Sequence, residues 1–234
     1  VRIMNVSESR ICTRDEDPAR IINLRFVYRD KNASIRTPQV DLPVKAKARL
    51  CAQAWDEPMA KAGLIKVDAP TVQRVGIMIF LQLTVNFGWI KHWRFGDVKA
   101  AFLQGKNRDV NEKGRLFLRP PRGRPLQGVA FGCLLEVLTS VYGLPDAPRA
   151  WWEELTTFLL SIGFRHCRID VAFIFFYYDS GSVGIMIILH VDDLMIANDG
   201  SKLTEGIVEK LHNKYPFGVW GKVMDMPNGT TYTG

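Results

Sequence analysis

The sequence predicts an α+β fold, an antiparallel sheet with helices packed against it. Three observations carry this expectation. Two strongly β-prone runs, Val171–Tyr178 and Val183–His190, are separated by Asp179-Ser-Gly-Ser182, which is hairpin chemistry. Trp151, Leu155, Phe158, Leu159 and Ile162 recur at helical spacing and form one apolar stripe. Strands and helices follow one another without a regular βαβ repeat, which argues against a purely parallel sheet.

Taken in order, residues 1–70 mix short apolar runs such as Ile21–Tyr28 with scattered charges and with Pro18, Pro38, Pro43, Pro58 and Pro70, a pattern of short strands and loops. Thr71–Phe87 is apolar and free of proline, so it predicts a helix buried on most sides and ending at Gly88. Arg94–Val98 reads as a short strand. Gly105–Gly128 reads as a long basic loop, broken by prolines and glycines, that holds a brief strand at Leu116–Leu118. Asp146-Ala-Pro148 starts the next helix, with Asp146 able to cap it and Pro148 tolerated in the first turn; Gly163 closes it. After the hairpin, a second tight turn at Val191–Leu194 leads into Met195–Asn198. Leu203, Ile207, Val208, Leu211 and Tyr215 then mark a last amphipathic helix, stopped by Pro216.

At 234 residues with 47% apolar content, the chain can bury a sizeable core. The formal net charge is +7, compatible with a polyanionic partner but shared by many basic enzymes. Its distribution says more: residues 1–50 hold eleven Lys or Arg against six Asp or Glu, and residues 101–130 hold seven against two. Cys12, Cys51, Cys133 and Cys167 lack the spacing of a zinc ribbon or a dense disulfide framework, which fits a reducing, intracellular compartment. His166 beside Cys167 lacks a second ligand pair, so packing or surface placement explains it better than a metal. The charged opening residues lack the apolar core of a signal peptide. The apolar stretches Ile77–Phe87 and Val183–Leu189 fall short of the ~20 residues that a membrane-spanning helix needs. A start at Val1 and a Gly-Thr-Thr-Tyr-Thr-Gly end suggest a piece of a longer protein.

Asp192 and Asp193 stand at a hairpin tip between Ile-Ile-Leu-His-Val and Leu-Met-Ile-Ala, two adjacent carboxylates on otherwise apolar arms. Adjacent carboxylates repel, and a divalent cation relieves that repulsion; a solvated turn is the plainer explanation of the dipeptide alone. Asp97, at the end of another short strand, is a second acidic site able to converge with the first. Phosphoryl transfer with two metals about 4 Å apart calls for carboxylates so placed.

Several further motifs then fall into a known order between about Lys45 and Trp220. These are Lys-Ala-Arg-Leu at 47–50, Asp68-Ala-Pro-Thr, Asp97-Val-Lys-Ala-Ala-Phe-Leu-Gln-Gly, Leu-Phe-Leu-Arg-Pro-Pro at 116–121, Val141-Tyr-Gly-Leu-Pro-Asp-Ala-Pro-Arg-Ala-Trp and His190-Val-Asp-Asp-Leu. Together they resemble the reverse transcriptases of copia-type long-terminal-repeat retrotransposons. The resemblance implies a right-handed polymerase with palm and fingers and the thumb largely missing. It divides the chain into an N-terminal segment with fingers and first palm helix (1–92), a palm strand with the first catalytic aspartate (93–104), a basic fingers-side loop with strands (105–140), a palm with catalytic hairpin and last helix (141–220) and a truncated tail (221–234).

Carried over to these positions, the resemblance implies that Asp97, Asp192 and Asp193 are the catalytic acids, holding two Mg²⁺ ions (or Mn²⁺), with Asp97 and Asp192 the more direct ligands and Val98 beside them. Phe102 falls where the family places an aromatic under the incoming sugar, and core packing is its plainer role. Ala101 and the backbone of 98–101 face the triphosphate. Tyr142 and Gly143 match the nucleotide-pocket motif, where an ordinary turn glycine is the alternative. Lys45, Lys47 and Arg49 form a basic cluster for triphosphate or template, or else a solvated strand. The loop Lys106–Arg124, with Arg119 and Arg122, would track template phosphates. Arg149 supports the helix start and has no catalytic role.

His190 stands where the family usually has tyrosine, near the primer end. The family's proton-donating lysine has two candidates, Lys214 and Lys222. The implied function is RNA-directed DNA polymerisation from a primer 3′-hydroxyl, with a catalytically inactive remnant that binds nucleic acid as the alternative. The implied partners are an RNA or DNA template with primer, dNTPs, and the ribonuclease H and integrase parts of a Pol polyprotein, with no membrane. The implied setting is the cytoplasm, within virus-like particles.

Overall fold

The computed structural model describes residues 1–55, 57–123, 126–226 and Tyr232. Arg124, the end of the basic loop, and most of the 227–234 tail lie outside the described residues. In chain order the elements are β1 (Arg2–Ile3), α1 (Val6–Asp15), β2 (Ile21–Asp30), β3 (Ala46–Ala52), α2 (Pro58–Lys61), α3 (Arg74–Asn86), β4 (Arg94–Val98), α4 (Val110–Lys113), β5 (Phe117–Arg119) and β6 (Leu135–Glu136). Then come α5 (Ala147–Ser161), β7 (Phe164–His166), β8 (Phe173–Tyr177), β9 (Val183–His190), β10 (Asp193–Asn198), α6 (Lys202–Lys214) and β11 (Phe217–Lys222). They form two compact units, one of residues 1–67 and 106–147, the other of residues 68–105 and 148–234.

The first unit carries a sheet of order β1-β6-β5-β2-β3. β2 and β3 are antiparallel from Leu24↔Ala52 to Asp30↔Ala46, and β5 joins β2 in parallel at Ile21↔Phe117. Met4, Cys12, Ile21, Phe117 and Leu134 make a small core. The expectation of only strands and loops in residues 1–70 is corrected by α1. That helix buries just Ser9 and Cys12, so it shows no apolar stripe. It is specified instead by a reciprocal cap, in which Glu8 N–H donates to Asn5 Oδ1 at 2.8 Å and Asn5 N–H donates to Glu8 Oε2 at 2.9 Å.

The second unit carries an antiparallel sheet of order β11-β4-β10-β9-β8-β7. Its core joins Phe80 of α3, Trp151, Leu155 and Leu159 of α5 and Ile207, Val208 and Leu211 of α6 to the buried residues of β8, β9 and β10. Gly184–Leu189 and Leu194–Asn198 are buried without interruption, which is why both strands read as continuous apolar runs rather than alternating ones.

Helix α3 differs from expectation in two ways. It starts at Arg74, because its N-cap Gln73 is extended and Val72 donates its N–H to Leu189 O at 2.9 Å. It is also buried on one face only, Gly76, Phe80 and Thr84, while Val75, Met78, Ile79 and Val85 remain exposed. An apolar composition all round the helix predicted burial all round; the core receives a single stripe. No helix among the described residues is long and apolar enough to cross a membrane.

Candidate active site

β4 lies between β10 and β11, and its register with β10 sets Asp97 directly opposite Asp193. β9 and β10 are joined through Val191 and Asp192, with His190↔Asp193 the last pair of the hairpin. The result gathers residues 95 positions apart: one carboxylate oxygen each from Asp97, Asp192 and Asp193 all lie within 4.8 Å of one another. Asp192 is exposed, and Asp97 and Asp193 are half-buried.

The turn that presents Asp192 is held in an uncommon conformation. Val191 has φ +57°, a left-handed geometry costing a β-branched residue about 1–3 kcal/mol. Two hydrogen bonds from neighbouring elements hold it there. The buried Trp151 indole Nε1 donates to Val191 O at 2.7 Å, and Val98 N–H donates to Asp192 O at 2.8 Å. Trp151, read in the sequence as a core residue of α5 and the end of the Val141–Trp151 motif, is therefore also a support of the acidic turn. Trp151→Phe leaves that carbonyl without its donor, and a loss of about 1–3 kcal/mol is expected from urea unfolding. An unchanged midpoint would contradict this role.

On the other side of Asp97, β11 contributes Gly218. A Cβ there would sit 2.9 Å from Asp97 Oδ2, so the missing side chain leaves room for the carboxylate. All three donors are oxygens, the set suited to a hard divalent cation, and their mutual repulsion falls when one is bound. The residues present thus fit such an ion. Val98 has a buried side chain and spends its N–H on Asp192, which leaves only its carbonyl to offer. Beyond it Lys99 N–H donates to Pro216 O at 2.8 Å, and Ala100 turns the chain at φ +54° into a short helical turn, Ala101–Gln104. Ala101 is buried, and Phe102 is half-buried and packs against the core.

His190 Nδ1 is buried with no hydrogen-bond partner among the described residues. Burial pushes the imidazole below its ordinary pKa, against the opposite pull of Asp192. Its ring lies 6.1 Å from that of Tyr232. Of the two lysine candidates, Lys214 Nζ lies 3.9 Å from Glu154, and Lys222 of β11 stands opposite Arg94 of β4 in the strand register, three residues from Val219, the position opposite Asp97. Arg149 donates to Glu153 at 2.7 Å and lies over the Trp152 ring at 4.6 Å, as befits a support for α5.

The remaining candidates belong to the first unit. Lys47 and Arg49 lie on β3 opposite Arg29 and Val27, and Lys45 N–H donates to Asp30 Oδ1 at 2.9 Å. Tyr142 O accepts from Ala52 N–H at 2.7 Å, and Gly143 has φ +91°. A Cβ on Gly143 would lie 2.1 Å from Ala52 O, so the fold itself requires this glycine. Arg119 and Arg122 line a mainly apolar cavity of about 510 Å³ with Pro120, Pro121 and the exposed Phe131.

Part of the basic loop turns inward. Arg108, 4% exposed, lies 3.5 Å from the buried Glu57, which Arg20 approaches at 3.7 Å. Lys113 pairs with the buried Asp146 at 2.8 Å and Arg115 with Glu136 at 2.9 Å. Burial pushes the Arg108 guanidinium below its ordinary pKa, opposed by Asp146 and Glu57. Arg108 and Lys113 spend their charge on buried carboxylates within the unit, whereas Arg115 stays exposed, a division that charge counting along the sequence does not reveal.

Residues 13–226 match the family described as reverse transcriptase (RNA-dependent DNA polymerase). The chain belongs to this family. Among curated relatives of this reverse transcriptase domain are the Retrovirus-related Pol polyproteins from transposons RE2 and RE1 of Arabidopsis thaliana, each 30% identical over 176 residues and 72% of the chain. That from transposon TNT 1-94 of Nicotiana tabacum is 27% identical over 170 residues and 72% of the chain. These are copia-type elements, as the motif order implied. The chain spans 11% of the length of the first two and 12% of the third.

Proposed function

We propose that this domain is the catalytic core of an RNA-directed DNA polymerase. The convergence of Asp97, Asp192 and Asp193 within 4.8 Å carries this reading, in a chain of the reverse transcriptase family. In it the second unit serves as palm, with the acids at strand ends in the interior of its sheet, and the first unit contributes fingers. Asp97 and Asp192 are the direct cation ligands, with Asp193 beside them and the Val98 carbonyl as an added oxygen. Bound Mg²⁺ or Mn²⁺ would supply activation of the primer 3′-hydroxyl and charge neutralisation on the leaving pyrophosphate.

The chain's own groups position the reactants. The Phe102 ring lies under the incoming sugar and excludes a 2′-hydroxyl by its bulk, with Ala101 next to the triphosphate. Tyr142, Gly143, Lys47 and Arg49 are nucleotide-binding residues, Arg119 and Arg122 meet template phosphates, and His190 borders the primer end. Template with primer and dNTPs are the substrates, and the ribonuclease H and integrase parts of a Pol polyprotein are the covalent neighbours, in virus-like particles.

Primer extension by the 234-residue chain on poly(rA) with oligo(dT) tests this reading. Extension dependent on Mg²⁺ or Mn²⁺ is expected. Nucleic-acid binding with steep salt dependence but no extension under either metal would overturn it, in favour of an inactive element that binds nucleic acid.

A further inference from the structure

Asp170 carries a network that the acidic cluster does not explain. It precedes β8, 22 residues before Asp192, and is half-buried between exposed Ile169 and Val171. One carboxylate oxygen, Oδ2, accepts from Gln73 N–H at the start of α3 at 2.9 Å; the other, Oδ1, accepts from Ala172 N–H at 3.0 Å. The two segments joined in this way each hold the same residue. Val72 N–H donates to Leu189 O at 2.9 Å, and Leu189 N–H donates to Ala172 O at 2.9 Å. Leu189 is the penultimate residue of β9, immediately before the His190↔Asp193 pair that closes the acidic turn.

Gly76 fits the same arrangement. A Cβ at this position would lie 2.8 Å from Asp170 Oδ2 and 2.8 Å from Val72 Cγ2, so the first turn of α3 is kept bare where the carboxylate enters. A local turn would need only the Ala172 bond. The second bond spans 97 residues and fixes the distance between two chain segments that flank the base of the hairpin.

We propose that Asp170 is a positioning residue for the acidic turn: its two oxygens clamp the start of α3 to the start of β8, and these segments together hold Leu189, and through it Asp192 and Asp193, in register with Asp97. The requirement is for two acceptors on one side chain, which aspartate supplies and asparagine does not. Asp170→Asn keeps one acceptor for the local turn and cuts the tie to α3. Gly76→Ala reaches the same tie from the other side by displacing Oδ2.

The inference rests on reading the acidic cluster as a cation site, and the experiment separates the two. Asp170→Asn and Gly76→Ala, each in the full chain, are compared with the parent by amide hydrogen exchange, by Mn²⁺ binding measured from the free-ion paramagnetic resonance signal, and by primer extension. Exchange at Leu189–Leu194 is expected to quicken about tenfold in each variant while the Phe164–His166 strand is unchanged. Mn²⁺ affinity and turnover are expected to fall about tenfold. The double variant is expected to be no worse than the more affected single one, because both changes break one tie. Parental exchange at the hairpin in Asp170→Asn, or equal quickening in every strand, would overturn the clamp. A parent chain that binds no Mn²⁺ would remove the cation reading alone, and hairpin exchange would still decide whether Asp170 holds the turn.

Discussion

Replacing Asp97 or Asp192 with asparagine is expected to lower primer extension by about a thousandfold while leaving the fold intact, since asparagine keeps the shape and removes the charge. The effect is large because the proposed chemistry depends on oxygens that can neutralise and hold cations together, and an amide oxygen does so poorly. Asp193→Asn is expected to cost less, as Asp193 is read as neighbour rather than principal ligand. The structure adds a sign to the stability side. Asp192 is exposed and its carboxylate lies within 4.8 Å of two others, so neutralising it in metal-free protein relieves repulsion. Asp192→Asn should therefore unfold at the same urea concentration or slightly higher while turnover collapses, the trade-off expected where function gathers like charges. Undiminished extension by either Asp97→Asn or Asp192→Asn would remove the metal assignment.

Gly143→Ala is expected to destabilise the first unit by about 3–5 kcal/mol. Its Cβ would meet three backbone atoms of Ala52, the oxygen at 2.1 Å, the nitrogen at 2.9 Å and the carbonyl carbon at 3.0 Å. Backbone cannot rotate aside as a side chain would, and the Ala52 N–H to Tyr142 O bond of 2.7 Å pins the two segments at that distance. The left-handed φ of +91° adds strain for any residue with a Cβ. Gly206 in α6 is the contrasting site, with nothing within 4 Å of its Cβ position. Gly206→Ala should stabilise the helix by about 1 kcal/mol. Urea titration of both variants checks the pair, and a Gly143→Ala loss below about 1 kcal/mol would contradict the contact.

The two aspartate and glycine cases show different degrees of legibility. Asp97, Asp192 and Asp193 were recognisable from motif order, and their strands were readable because each is a local pattern. Arg94–Val98 forms a strand over the residues expected, and the α5 stripe from Trp151 to Ile162 faces the core. Gly143 was readable only as a motif residue; that its partner is the end of β3, 91 positions earlier, came from the fold. Helix α1 escaped because its signal is the Asn5–Glu8 cap rather than an apolar period.

The sequence by itself determined the hairpin and the amphipathic helices α5 and α6 and marked the three acids as candidates, because hydrophobic period, turn chemistry and motif order are each written in a few residues. Only the tertiary structure decided that Asp97 stands opposite Asp193, that α3 buries one face and leaves Val75, Met78, Ile79 and Val85 exposed, that Arg108 and Lys113 turn inward, and that Trp151 and Asp170 brace the acidic turn. The physical reason is common to all four. Strand register, choice of buried face and ion pairing are settled by groups tens of residues apart competing for the same contacts, and no local pattern records which of them wins.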